Sequence, residues 1–177
     1  MNATEQKMRK VIYIWEKISD EDARLFRVLG TDGIVNIPGQ IDGHSVSELG
    51  TYCFSRRRLL QADLFSTSLF EDGTEITEKI STDFQFLLDQ NSYLHELSEK
   101  YIQQVQLPAS LRKIGSCAFY NCSKMKELHI ASKLDEIGSD AFMNCLDLTR
   151  IVLHAHYNER TGLKQLLSQV KWQVEVL

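Results

Sequence analysis

The chain of 177 residues lacks an apolar run anywhere near the ~20 residues that a bilayer-spanning helix requires. It also lacks an apolar segment behind its first residues, Met1-Asn2-Ala3-Thr4-Glu5-Gln6-Lys7, and so shows no secretory signal. A cytoplasmic location is the expectation. Positive charge is not in excess: 20 Lys and Arg stand against 24 Asp and Glu, a net charge of −4. A nucleic-acid partner needs a basic footprint, so nucleic acid is not expected. The one basic run, Arg56-Arg57-Arg58, is shorter than patches that hold polyanions and reads as a solvated turn. Four cysteines occur without a CxxC, which removes the usual zinc and thioredoxin spacings. They read as buried, reduced thiols. No glycine-rich phosphate loop, GxSxG or HExxH is present, so neither catalysis nor a cofactor is expected.

What the chain does have is an internal repeat. Residues 105–127 lie over residues 128–150 at a constant offset of 23. Val105/Leu107, Leu128/Ile130 and Ile151/Leu153 alternate as short half-buried strands. Leu111/Ile114 and Leu134/Ile137 follow, then Gly115 or Gly138, then Ala-Phe and Asn-Cys. One coil cannot bury these residues alone, but stacked coils bury each other's. Phe119 is expected on Phe142, and Cys122 on Cys145, either as reduced thiols or close enough for a disulfide. Gly115 and Gly138 are expected where a side chain would obstruct a bend. An earlier copy spans residues 35–54, with five extra residues around Ile41-Asp42-Gly43-His44-Ser45.

These residues resemble the BspA-like class of bacterial leucine-rich repeat, whose pattern runs roughly V-x-I-P-x-x-V-x-x-I-G-x-x-A-F-x-x-C-x-x-L. It is carried by Val105 to Met125, by Leu128 to Leu148, and by Val35 to Phe54 with the widened turn. The resemblance implies a curved right-handed solenoid with a strand-lined face that binds proteins or surfaces, and it brings no catalytic residues. Some members are secreted adhesins, a role at odds with the missing export signal.

The expected fold is therefore α/β: a short leucine-rich-repeat solenoid in one domain, residues 1–177. Residues 1–34 are its N-terminal cap, built from strands at Val11–Trp15 and Ala23–Leu29 around the turn Ser19-Asp20-Glu21-Asp22. Residues 35–54 are the first repeat and residues 55–104 an insertion. Phe119 follows Phe54 by 65 residues, 42 more than one repeat. Leu94, Leu97 and Tyr101 suggest a helix from about Ser92 to Gln103. Asp83 to Leu88 reads as a short helix or strand, and Ile80 to Phe84 faintly echoes a degenerate coil. Residues 105–153 are regular repeats. Residues 154–177 form a C-terminal cap, with a helix over Thr161–Gln169 and a strand over Lys171–Val176. The apolar last residue, Leu177, suggests a longer protein.

Alternation along the strands turns Gln104, Gln106, Glu127, His129, Arg150 and Val152 outward. This mixed polar face is the expected binding surface, for an unknown protein or peptide. The competing readings are an inert segment of a longer bacterial protein, and a metal protein using His154-x-His156 with a cysteine. The second lacks a third ligand nearby, so the histidines read as surface residues.

Overall fold

The computed structural model describes residues 9–57, 65–76, 84–90, 93–131, 133–153, 166, 168–170 and 173–176. Strands β1 (Lys10–Lys17) and β2 (Asp22–Gly30) form an antiparallel hairpin. Then come β3 (Ile34–Asn36), β4 (Gln40–Ile41), β5 (His44–Leu49), β6 (Ser66–Glu71), β7 (Thr74–Ile76), helix α1 (Phe84–Gln90) and β8 (His95–Glu96). The remaining strands are β9 (Gln104–Leu107), β10 (Lys113–Ile114), β11 (Glu127–Ile130), β12 (Glu136–Ile137), β13 (Arg150–Leu153) and β14 (Gln173–Val176).

The repeat becomes two parallel ladders. In the first sheet, β3, β9, β11, β13 and β14 stack as five successive rungs. Val35, Val105, Leu128 and Ile151 form one unbroken column, and all four are buried. In the second sheet, β2, β5, β10 and β12 align Leu25, Leu49, Ile114 and Ile137. The hairpin strand β2 thus serves as a rung below the first repeat. Short strands suffice because each needs only its neighbours to satisfy its backbone and cover its apolar side.

The turns joining the two sheets repeat as faithfully. Phe54 stacks on Phe119 at 4.9 Å and Phe119 on Phe142 at 5.3 Å, with planes 6° and 8° apart. Tyr52, Cys117 and Asp140, one position per rung, all take left-handed φ of 54–57°. The amide of Phe54 donates to Ala118 and that of Phe119 to Ala141. The first repeat's five extra residues close a small hairpin between β4 and β5. Its tip, Asp42 and Gly43, has φ of 47° and 78°, the positive pair that a two-residue hairpin turn requires.

The interruption splices into this pattern at a definable place. The Glu99 amide donates to the Phe54 carbonyl, just as the Cys122 amide donates to Phe119. Glu99 therefore occupies the position of Cys122, 23 residues on, and Ser98 that of Asn121. The coil is left after Ser55 and resumed at Ser98, so residues 56–97, the 42 supernumerary ones, lie outside it. Residues 98–104 belong to the coil, which makes the interruption shorter than the expected 55–104.

No helix spans residues 93–103. Leu94, Leu97 and Tyr101 have helical spacing but go to three environments. Leu94 packs with Ile12 and Ile14, Leu97 enters the main core, and Tyr101 is exposed. Between them β8 pairs with Leu29 and Gly30 of β2, and this tertiary pairing overrides the local period. Among the described residues of the insertion, β6 extends the hairpin beside β1, β7 follows β6, and Leu87 of α1 packs on Ile12, Ile14 and Leu29. The continuous apolar run Ile12-Tyr13-Ile14-Trp15 suits this two-sided burial. Trp15 donates to Ser68 on β6, and the Tyr13 hydroxyl to the Asn36 carbonyl. The echo at Ile80–Asp83 lies outside the described residues, as do Thr161–Gln165 of the expected C-terminal helix. Leu166, Ser168 and Gln169 are helical, and β14 pairs with β13.

Gly50, Gly115 and Gly138 occupy one column. A Cβ on Gly115 would lie 2.7 Å from the backbone of Leu49, Gly50 and Thr51 in the rung below. The close approach of rungs, rather than positive φ, demands glycine here. Overpacking of this kind costs about 1–3 kcal/mol. Gly115→Ala should therefore lower stability in urea by that amount. Gly39→Ala, where the nearest atom is 4.0 Å away, should lower it far less. Equal effects would refute the packing argument.

Candidate interaction face

The first sheet brings the expected surface residues together on adjacent rungs. Gln104, Glu127 and Arg150 align in one register position, and Gln106, His129 and Val152 in the next but one. Glu127 is the hub. Its Oε1 accepts from Arg150 Nη1 at 3.1 Å, one rung up, and forms a short contact with His129 Nε2 on its own strand. Gln104 Nε2 lies 3.4 Å from His129 Nε2. Gln106 and Arg150 are exposed, and the other three are half-buried. Val152 departs from expectation. It lies in the outward column, yet it is fully buried and is not part of the main core cluster. Its strand pairs with β11 on one side and β14 on the other. Five of the six expected residues reach the surface of this sheet.

Charge elsewhere follows the same 23-residue rule. Lys113–Glu136, Lys124–Asp147 and Glu127–Arg150 pair across one repeat at 3.0–3.1 Å, and Asn144 donates to Asn121 at 2.8 Å. On the second sheet Arg24 bridges Glu16 and Glu48 at 2.8 and 2.6 Å. A pocket of about 280 Å³ opens beside this ladder, lined in part by Arg24, Phe26, Glu48, Thr51 and Lys113. Its charged walls already pair with carboxylates or cations of the ladder, so no nucleophile or base is poised in it.

The chemistry-bearing residues are arranged for packing. Cys53, Cys122 and Cys145 are buried, free thiols. Cys122 Sγ donates to the Phe54 carbonyl and Cys145 Sγ to the Phe119 carbonyl, each reaching the rung below instead of the neighbouring sulfur. Burial pushes Cys53 and Cys145 up to about 12, and Cys122 well above its ordinary value. Among the described residues no three His, Cys, Asp or Glu side chains are grouped to hold a metal ion, and no helix is long and apolar enough to cross a membrane. His154 and His156 lie outside the described residues.

Residues 92–162 match the family model of the BspA type leucine rich repeat region (6 copies). Over these residues the chain is similar to the BspA-type leucine-rich repeats. The match opens six residues before the coil resumes at Ser98 and spans the rungs from β9 to β13. Among solved structures, the chain is similar to the T. pallidum leucine rich repeat protein TpLRR, at 15% identity, covering 91% of this chain and 94% of that one, with a TM-score of 0.37. No curated protein matches the chain.

One feature sequence reasoning missed is Arg27, which is 2% exposed. Its Nη1 donates to the carbonyls of Phe26 and Tyr52, its Nη2 to that of Arg57 at 2.6 Å, and its Nε faces Glu96 at 3.3 Å. It ties the hairpin to the first turn of the coil and to both ends of the insertion. An arginine inside a strand carries no sign of this in sequence.

The buried thiols have a consequence in solution. Unfolding exposes them to their ordinary value of 9.0, so above that pH the unfolded chain releases protons that the folded one keeps. Their contribution to stability is complete below pH 9 and should fall as pH rises from about 9 towards 12, read as a declining urea midpoint. Substituting Cys145→Ala should flatten this decline. A slope identical in the variant would contradict the assignment.

Proposed function

We propose that this chain is a non-catalytic binding module that holds a protein or peptide partner on the outward face of its first sheet. The observation that carries the proposal is the Glu127 hub. One carboxylate fixes a histidine on its own rung and an arginine on the next, so a polar surface is organised before any partner arrives. Preorganised side chains lose less entropy on binding, and arginine is prominent in binding hot spots. The small number of rungs suits a short segment of a partner.

The rest of the chain fits this role as support. The β1–β2 hairpin with the insertion closes the lower end of the coil, and β14 adds the fifth rung of the binding sheet. Reduced thiols as packing elements suit a bacterial cytoplasm, where they stay reduced. A pull-down from a bacterial lysate tests the face. Partners captured by the unaltered chain should be lost with His129→Ala plus Arg150→Ala, while a Lys133→Ala control keeps them. An unchanged set of partners would sink the proposed face.

A further inference from the structure

Cations on this molecule are mostly paired with carboxylates. Arg9, Lys10, Lys17, Arg24, Arg112, Lys113, Lys124 and Arg150 all have an acidic partner. Among the described residues the exposed Arg56, Arg57, Lys100, Lys126 and Lys133 have no ion pair. Of these, Arg56 and Arg57 lie side by side, and the Glu99 carboxylate accepts from the Arg56 amide at 3.2 Å rather than from its guanidinium. Each is held by aromatic rings instead. Arg57 lies 5.4 Å from the Tyr120 ring and 6.0 Å from that of Tyr52, and these two rings meet edge-on. Arg56 lies 5.9 Å from the Tyr101 ring. A guanidinium over a ring keeps its full charge and its outward donors, in an orientation already selected.

The cluster does not end there. Met143 stands one repeat above Tyr120, and the Asn121 amide donates to its carbonyl. Met143 is 48% exposed and Leu146, three residues on, 68%. An apolar strip therefore runs up the turn side of the solenoid from two unpaired arginines. This side is formed by the turns, separate from the strands that carry Glu127 and Arg150.

We propose that Arg56 and Arg57, with the strip Tyr52–Tyr120–Met143–Leu146, form a second docking surface whose occupant is an acidic peptide segment bearing an apolar side chain. Carboxylates of the segment would take the outward guanidinium donors, and its apolar residue would cover Met143 and Leu146. Charge complementarity carries the choice of occupant. On a chain with a net charge of −4, the two guanidinium groups and Lys100, which lies 5.7 Å from the same Tyr101 ring, make a local positive site, and the Glu99 carboxylate beside it is engaged by the Arg56 amide. Two arginines and one lysine in one cluster are too few for the phosphate contacts of a nucleic acid.

A random dodecapeptide library displayed on phage, selected on the full chain, tests this directly. Enriched peptides should be rich in Asp and Glu and contain at least one large apolar residue. Their binding to the intact protein, measured by fluorescence anisotropy, should weaken at least tenfold with Arg56→Glu plus Arg57→Glu, and several-fold with Met143→Ser plus Leu146→Ser. The charge-matched Lys17→Glu plus Lys133→Glu should change it less than twofold. Enrichment of neutral or basic peptides, failure to enrich any, or equal loss in the charge-matched control would overturn the proposal. So would tight binding of a twelve-nucleotide single-stranded DNA that depends on the same arginines. Far-ultraviolet circular dichroism and urea midpoints verify that each variant is folded.

Discussion

The contact on which the rest of the structure depends is the stack of Phe54 on Phe119. These rings are 65 residues apart in sequence, yet they lie 4.9 Å apart and nearly parallel, as closely as Phe119 and Phe142, which are separated by one repeat. Through this contact the first coil, isolated by the interruption, joins the regular coils without a change of register. The valine column, the glycine column and the left-handed turn column all continue across the same junction. A slip of one residue there would turn every outward residue of β9 inward.

The interruption then has a physical meaning. Residues leave the coil after Ser55 and return at Ser98, and in between β6, α1 and β8 settle on the β1–β2 hairpin. The lowest rung of a solenoid exposes apolar area that the next rung would otherwise cover. Here β2 of the antiparallel hairpin pairs with β5 and continues the ladder below the first repeat. Arg27 fastens the hairpin by donating to the first turn and to the insertion at once. Such a buried cation is costly without partners, which explains why three carbonyls and Glu96 converge on it.

The repeat itself was legible in sequence because stacking forces the same residue type into the same position. Leu128 over Val105, Phe142 over Phe119 and Gly138 over Gly115 each satisfy a constraint imposed by the neighbouring rung. The five-residue widening of the first turn was also legible, since Gly50 follows Val35 by five residues more than Gly115 follows Val105. What failed to show were contacts with no period. Leu94 and Leu97 sit at helical spacing but answer to two different clusters, and the pairing of β8 with β2 is set by a strand more than sixty residues earlier. Of the outward face, Gln104, Gln106, Glu127, His129 and Arg150 followed from alternation. Val152 did not, because alternation tells which way a side chain points and not what lies over it. The unpaired Arg56 and Arg57 were visible as a run, but their tyrosine partners come from the neighbouring rung and from the returning chain.

Continuity of the coil across residues 56–97 is the central claim, and a double-mutant cycle on Phe54→Leu and Phe119→Leu addresses it most directly. Stacked aromatic pairs are coupled by about 0.5–1.5 kcal/mol beyond the area they bury. The two substitutions, measured singly and together by urea unfolding, should therefore be non-additive by roughly that amount. Effects that add to within about 0.3 kcal/mol would mean that the rings are not neighbours and that the first coil does not continue into the repeat.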